Sequence, residues 1–163
     1  MIVVSDTTPL ISLMKADRLE LLEPLFGEVF IPEAVYSELT TNPEFQDEAD
    51  HIKGCAFIKK VSVKEQKAVD VLQRASGLDL GESEAIIYAD DVKADVLLMD
   101  EVKGRQVARA MGLYIMGTIG VLLYAFEKKV ITGSDVEDAL DRMKKANRHI
   151  GEDLINYALS KIK

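Results

Sequence analysis

Two aspartates directly follow short apolar segments, and their type and position are the first sign of chemistry in this chain. Asp6 ends the segment 2–5, and Asp100 ends the segment 96–99. Each segment is typical of a buried parallel strand, and open α/β sheets bind ligands at the carboxyl ends of their strands. If the two strands are neighbours, the two carboxylates lie close together. Their mutual repulsion then favours a divalent cation between them.

Glu38 and Glu82 are two further acidic candidates, and both lie on predicted helices. Glu38 follows Pro32, which opens its helix, and Glu82 lies in the first turn of another helix. Together with Asp6 and Asp100 they would form a cluster of oxygen ligands without His or Cys. Such a ligand set suits Mg²⁺ or Mn²⁺ and not zinc.

Each of these acids also has an explanation that involves no metal. Asp6 and Asp100 both precede a predicted helix, so each could act only as a helix cap. Glu38 fits a solvated helix face, and the helix dipole favours Glu82 in a first turn. The four acids taken together, at strand ends and helix starts, favour the metal site over these separate roles.

The composition limits the classes of protein to which the chain can belong. Its 163 residues are 48% hydrophobic and 29% charged, which predicts one globular domain with its own core. A net charge of −8 disfavours general binding to polyanions, although cations and local basic patches still allow a nuclease. The one cysteine, Cys55, excludes a disulfide scaffold. Because no apolar stretch reaches the ~20 residues of a membrane span and no secretory signal is visible, we expect a cytoplasmic protein without membrane contact.

The elements that position the acids alternate between strands and helices. Short apolar strands are predicted at residues 2–4, 29–31, 56–58, 96–99 and 113–116. Helices are predicted at residues 8–14, 19–25, 33–40, 64–75, 82–92, 102–111, 119–128, 135–146 and 153–162. The polar stretch 41–54 is expected to form a loop with a short exposed helix. This alternation predicts an α/β fold with three α/β/α layers and a central parallel sheet of four to five strands.

Five segments also carry a family resemblance: 4–11, 31–39, 80–86, 97–101 and 104–122. In order and spacing they resemble PIN-domain ribonucleases, in a prokaryotic PIN-like branch related to the toxins of VapBC-type toxin–antitoxin pairs. The resemblance spans roughly residues 2–125. We therefore expect a PIN-like domain over residues 1–132, with residues 133–163 as a helical extension of the same domain.

The resemblance implies that four acids act as catalytic residues and metal ligands: Asp6, Glu38, Glu82 and Asp100. It also implies secondary candidates. The hydroxyl after the first acid matches Thr7 or Thr8, and Glu84 is a rival for the third acid. Many relatives carry a further Asp or Asn after the fourth acid, and the nearest candidates here are Glu101 and Thr118.

The activity implied by the resemblance is hydrolysis of RNA phosphodiester bonds by an endoribonuclease that uses Mg²⁺ or Mn²⁺. The implied partners are RNA, an antitoxin protein and a second copy of the chain in a homodimer. Lys103, Arg105 and Arg109 begin the helix after Asp100 and are the candidate RNA-binding residues. A solvated helix face is the alternative for these three.

Rival functions remain open at this point. A haloacid-dehalogenase-type phosphatase needs a second Asp two residues after the first, where this chain has Thr8, and a phospho-receiver domain needs paired acids and a lysine that are not evident. Another phosphohydrolase with carboxylates at strand ends, or a catalytically weak or inactive PIN-fold interaction module, remains. His51 and His149 are expected at the surface, and Cys55 as a small core residue.

Overall fold

A computed structural model, which describes residues 1–163, has a five-stranded parallel sheet at its centre. The strands are β1 (Val3–Ser5), β2 (Val29–Pro32), β3 (Ile58–Val61), β4 (Val96–Leu98) and β5 (Ile115–Met116), in the order β3-β2-β1-β4-β5. In register, Val3 pairs with Val96 and Ser5 with Leu98. The two central strands β1 and β4 are therefore neighbours, and the segments that follow them emerge side by side.

Ten α-helices cover both faces of this sheet. They are α1 (Thr7–Lys15), α2 (Leu22–Phe26), α3 (Glu33–Thr41), α4 (Gln46–Lys53), α5 (Gln66–Ser76), α6 (Leu80–Asp91), α7 (Val102–Ala110), α8 (Thr118–Glu127), α9 (Gly133–Lys145) and α10 (Glu152–Lys161). Short 3₁₀ turns precede α2 and α4. The predicted three-layer α/β/α fold with a parallel sheet is confirmed.

Alternation along the strands divides the core into two parts. Val3 and Leu98 face a cluster of 27 buried residues that includes side chains of α1, α3, α8 and α9. Val4 and Leu97 face a smaller cluster with residues of α6 and α7. Because successive side chains in a strand point to opposite faces, short apolar strands need helices on both sides.

The edge strand β3 and the helix before it differ from the prediction. Ala56 is exposed, and β3 begins at Ile58 and runs on through two exposed lysines, so its apolar pattern is weak. The helix α4 was expected to be exposed. Instead it buries Ala49 and Ile52, because it packs beside α3.

The C-terminal helices lie in the same core as the strands. Val136 and Met143 of α9 and Ala158 of α10 are fully buried in the larger cluster. No helix of the protein combines the length and the apolar character that a membrane crossing requires.

Candidate active site

Asp6 is the most buried acid near the carboxyl ends of the strands. Its backbone N–H donates to the Leu98 carbonyl at 3.0 Å, which extends the pairing of β1 and β4 beyond the end of β1. The residue is 3% exposed, and its side chain makes no capping hydrogen bond to α1. Asp6 thus occupies the N-cap position of α1 without a side-chain capping hydrogen bond, so capping does not account for its buried carboxylate.

The surroundings of Asp6 disfavour its negative charge. Burial raises the pKa of Asp6 to about 7, and the charges of Asp79, Glu38 and Asp100 add to the effect, while the Thr7 backbone amide opposes it. A buried carboxylate among other carboxylates is stable in its charged form only when a cation compensates it.

Asp100 lies two residues beyond β4 and is bound at both carboxylate oxygens. Its Oδ1 accepts from the Thr118 backbone N–H at 2.7 Å, and its Oδ2 accepts from the Thr118 hydroxyl at 2.6 Å. Thr118 is the first residue of α8 and is buried. Asp100 therefore caps α8 and not the next helix along the chain, α7, and Thr118 orients the Asp100 carboxylate.

Glu38 contacts the residue that follows Asp6. Its Oε2 accepts from the Thr7 hydroxyl at 3.0 Å. Burial raises the pKa of Glu38, the Thr7 hydrogen bond lowers it, and the charge of Asp79 raises it again. Glu38 therefore points toward the other acids and does not lie on a solvated helix face.

Glu82 forms a local pair with Asp79, which lies between the predicted helices 64–75 and 82–92. Asp79 caps α6, and its Oδ1 accepts from the Glu82 backbone N–H at 2.8 Å. The pKa of Glu82 is raised to about 8, and burial is the largest cause. Its hydrogen bond with Asp79 comes next, followed by the charges of Asp79, Asp6 and Glu101, which raise the same pKa. An Asp three residues before a Glu at a helix start is a capping pattern that could have singled out Asp79.

Glu84, the rival for the third acid, holds other parts of the fold. Its Oε1 accepts from the Ala34 backbone N–H at 3.0 Å, and its Oε2 accepts from the Gln66 side chain at 2.9 Å. It is 6% exposed. Glu84 thus fixes the start of α3 against α6, with both oxygens engaged.

The other secondary candidates lie around the pocket in different roles. Thr7, and not Thr8, bonds Glu38, while Thr8 is half-buried in the wall of a cavity that Asp100 also lines. Glu101 is exposed and contributes charge near Glu82.

The three predicted basic residues are not equivalent. Arg105 is half-buried, and its Nη1 donates to the Met99 carbonyl at 2.8 Å, next to Asp100. Burial and the nearby Arg109 lower the pKa of Arg105, and Asp100 raises it. Lys103 and Arg109 are exposed, and Lys103 extends over Gly77. Arg105 alone is fixed beside an acid of the pocket.

The donor set fits a hard divalent cation. We call Asp6, Glu38, Asp79, Glu82 and Asp100 the carboxylate pocket. None of these five acids forms an ion pair with Lys or Arg. The five carboxylates offer only oxygen ligands, which suits Mg²⁺ or Mn²⁺. No three of them have ligand atoms within 4.8 Å of one another, and the Arg105 guanidinium lies beside Asp100.

A second group of ligating side chains lies away from the carboxylate pocket. Glu20, His51 and Cys55 have ligand atoms within 4.8 Å of one another, and His51 Nε2 lies 2.6 Å from Glu20 Oε1. These residues precede β2 and β3, whereas the carboxylate pocket follows the strands. Any metal measurement on this protein must separate the two groups.

The fold and pocket define a class: three-layer α/β/α proteins with a carboxylate pocket at the carboxyl ends of a parallel sheet. A family model described as a PIN domain matches residues 2–163, so the chain belongs to the PIN-domain family. The match includes α9 and α10, which lie beyond the resemblance seen in the sequence. No curated protein matches the chain. PIN domains are typically nucleases with divalent metals, which indicates a hydrolase in general.

Proposed function

We propose that the protein is an endoribonuclease that hydrolyses RNA phosphodiester bonds with Mg²⁺ or Mn²⁺. One observation carries the proposal: Asp6 is almost fully buried among acids, and no basic side chain pairs with it. A purely structural role would not require a buried, uncompensated carboxylate, because a neutral residue would cost less free energy.

Each acid then has a distinct task. Asp6 and Asp100 would bind the cation from rigid positions, since β1 and β4 hold both backbones and Thr118 orients Asp100. Glu38, oriented by Thr7, and Glu82, paired with Asp79, would complete the ligand set or orient water. The cation, when bound, supplies Lewis-acid chemistry for phosphodiester hydrolysis. Arg105 would contact a phosphate of the substrate, because its guanidinium is fixed beside Asp100.

The first test is cleavage of a single-stranded RNA by wild type and by Asp6→Asn. We expect the variant to lose at least ~99% of the Mn²⁺-dependent rate, because one ligand and one negative charge disappear without a change in size. Asp91→Asn, on the exposed end of α6, is the matched control and keeps the rate. Equal rates in wild type and Asp6→Asn would reveal a contaminating nuclease and end the proposal.

Calorimetric titration with Mn²⁺ tests metal binding without any substrate. The titration is made on a His51→Ala background, which removes the second ligating group from the measurement. We expect heat from this variant and none after the further change Asp6→Asn. An inactive PIN-fold interaction module without metal affinity would give no heat in either protein.

We also propose, from the resemblance to VapBC-type toxins, that the protein acts as a toxin with an antitoxin partner and forms a homodimer. Expression of wild type, but not of Asp6→Asn, is then expected to arrest growth of a bacterial host. Co-expression of the product of the adjacent reading frame should relieve the arrest. Sedimentation analysis gives the oligomeric state.

A further inference from the structure

The turn between α9 and α10 places an arginine beside the carboxylate pocket. Asn147 adopts a left-handed backbone conformation with φ 58°, and the Arg148 N–H donates to the Met143 carbonyl at 3.0 Å. This geometry closes the C-terminus of α9 and fixes the backbone of Arg148. The Arg148 Nε donates to Ser12 Oγ on α1 at 3.2 Å, and Ser12 is buried. Arg148 is therefore anchored at both its backbone and its side chain.

Arg148 lines a cavity of about 430 Å³ together with Asp100. The other walls include Thr8 and Ser12 of α1 and Thr118 of α8. Arg148 forms no ion pair with any carboxylate of the protein. The charge of Arg148 lowers the pKa of Glu48, but no carboxylate lies within ion-pair distance of its guanidinium. An anchored guanidinium in a cavity that Asp100 and Glu101 also line is suited to bind a phosphate.

A second cavity, of about 620 Å³, adjoins the first one at Asp100. Arg105, Tyr114 and Tyr157 line it, and the two tyrosines are 64% and 52% exposed. Exposed aromatic side chains beside arginine are the surface on which unpaired bases stack. The two cavities thus share Asp100 in their walls, with Arg148 in the first cavity and Arg105 and the two tyrosines in the second.

We propose that the two cavities form one groove that binds single-stranded RNA across Asp100, with a phosphate on Arg148 and bases on Tyr114 and Tyr157. The inference rests on the proposed nuclease function and assigns the side chains that would hold its RNA substrate. With a net charge of −8, the protein has little general attraction for RNA, so fixed local cations must supply it. Duplex bases are already stacked and gain little from the tyrosines.

The phosphate contact is tested by fluorescence anisotropy of a labelled single-stranded RNA, in EDTA to prevent cleavage. We expect Arg148→Ala to weaken binding at least ~5-fold and to reduce the salt dependence by about one phosphate contact. Arg142→Ala, on the exposed face of α9 and paired with Asp138, is the control and leaves the affinity unchanged. Arg148→Lys keeps the charge and is expected to recover part of the affinity.

The stacking contact is tested with the double variant Tyr114→Ala/Tyr157→Ala. It should weaken single-stranded RNA ~10-fold or more with an unchanged salt dependence, because stacking is not ionic. Binding of duplex RNA should change less than ~2-fold. A normal affinity in either the arginine or the tyrosine variant would overturn the groove.

The outcomes separate this inference from the nuclease proposal. If wild type cleaves RNA with Mn²⁺ while Arg148→Ala binds and cleaves normally, the groove is wrong and the nuclease stands. If the variants lose RNA affinity but wild type never cleaves, the groove stands and the nuclease fails. A dimer that dissociates in the tyrosine variant, with RNA affinity unchanged, would assign the tyrosines to a second copy of the chain and overturn the stacking. Ser12→Ala tests the phosphate contact if the Arg148 variants fail to fold. It removes only the hydrogen-bond partner of Arg148 Nε and should weaken RNA binding ~2-fold or more. An unchanged affinity would count against the phosphate contact.

Discussion

Asp6 is buried at the end of β1 although its surroundings oppose its charge. The folded protein binds a proton at Asp6 more tightly than the unfolded chain, because the pKa rises from 3.8 to about 7. Stability from this residue is therefore lost as the pH rises through this interval, and above pH 7 the folded protein carries the full cost of the charge. Such a cost is typical of functional residues, which are selected for chemistry and not for stability.

Asp6→Asn is expected to stabilise the metal-free protein at pH 8, by up to ~4 kcal/mol, and clearly less at pH 5. The amide keeps the shape of the side chain but removes the buried charge. Urea denaturation in EDTA at the two pH values measures the difference, with the exposed Asp91→Asn as control. No gain at pH 8 would mean that a protein group already compensates Asp6.

Thr118 is the residue that orients Asp100. Thr118→Val keeps the backbone bond and the shape but loses the hydroxyl bond to Oδ2. We expect roughly 10-fold lower Mn²⁺ affinity in the cleavage assay, since groups that orient ligands typically contribute ~10–100-fold. Thr40→Val, which removes a local bond to the Tyr36 carbonyl, should leave the Mn²⁺ dependence unchanged. Equal Mn²⁺ affinities in all three proteins would deny Thr118 this role.

At the scale of elements, the sheet order brings the pocket together from distant parts of the chain. The central pair β1 and β4 supplies Asp6 and Asp100, while α3, α6 and α8 supply the groups around them. Parallel strands require long crossovers, so each strand end is followed by a helix start at the same edge. The last strand, β5, is followed by α8, and α9 then packs against α1 and α8.

Residues 133–163 are therefore expected to be part of the folding unit. Met143→Ala removes a fully buried side chain of α9 from the shared core and should cost about 2–4 kcal/mol of unfolding free energy. Lys144→Ala, next to it and exposed, is the control. Urea denaturation measures both. A cost below ~0.5 kcal/mol for Met143→Ala would make α9 a separate appendage.

At the scale of the whole molecule, the net charge of −8 and the concentration of acids in one pocket both cause repulsion between negative charges in the folded protein. A divalent cation relieves repulsion that the folded protein otherwise carries, so it should bind the folded state and not the unfolded chain. Folding stability and metal concentration are then linked.

Saturating Mn²⁺ is expected to raise the melting temperature of wild type by roughly 5–10 °C, if its concentration reaches ~100 times the dissociation constant. Differential scanning fluorimetry with and without Mn²⁺ measures the shift. His51→Ala should keep the shift, and Asp6→Asn should lose it. A shift that depends on His51 and not on Asp6 would move metal binding to the second ligating group.

Prediction from the sequence was good where local residue patterns determine the structure of an element. It was incomplete where contacts between elements determine that structure. The strand before Asp100 was predicted within one residue, because four apolar residues between acids allow few alternatives. The edge strand β3 was displaced by two residues, because its lysines resemble a loop. Asp79 was missed because its capping bond and its charge coupling to Glu82 depend on where α6 begins.

Strand and helix periodicity determined the fold class, five sequence segments carried the resemblance to PIN domains, and the acids at strand ends and helix starts made four residues candidates. All three are local properties of the chain. Only the tertiary structure decided what those acids contact. In the folded protein Glu84 binds the backbone of α3, Asp79 joins the acids beside Glu82, and Asp100 accepts hydrogen bonds from Thr118. Arg148, far away in the sequence, lies next to the pocket. The physical reason is that burial and charge interactions depend on distances between residues far apart in sequence, such as Ser12 and Arg148.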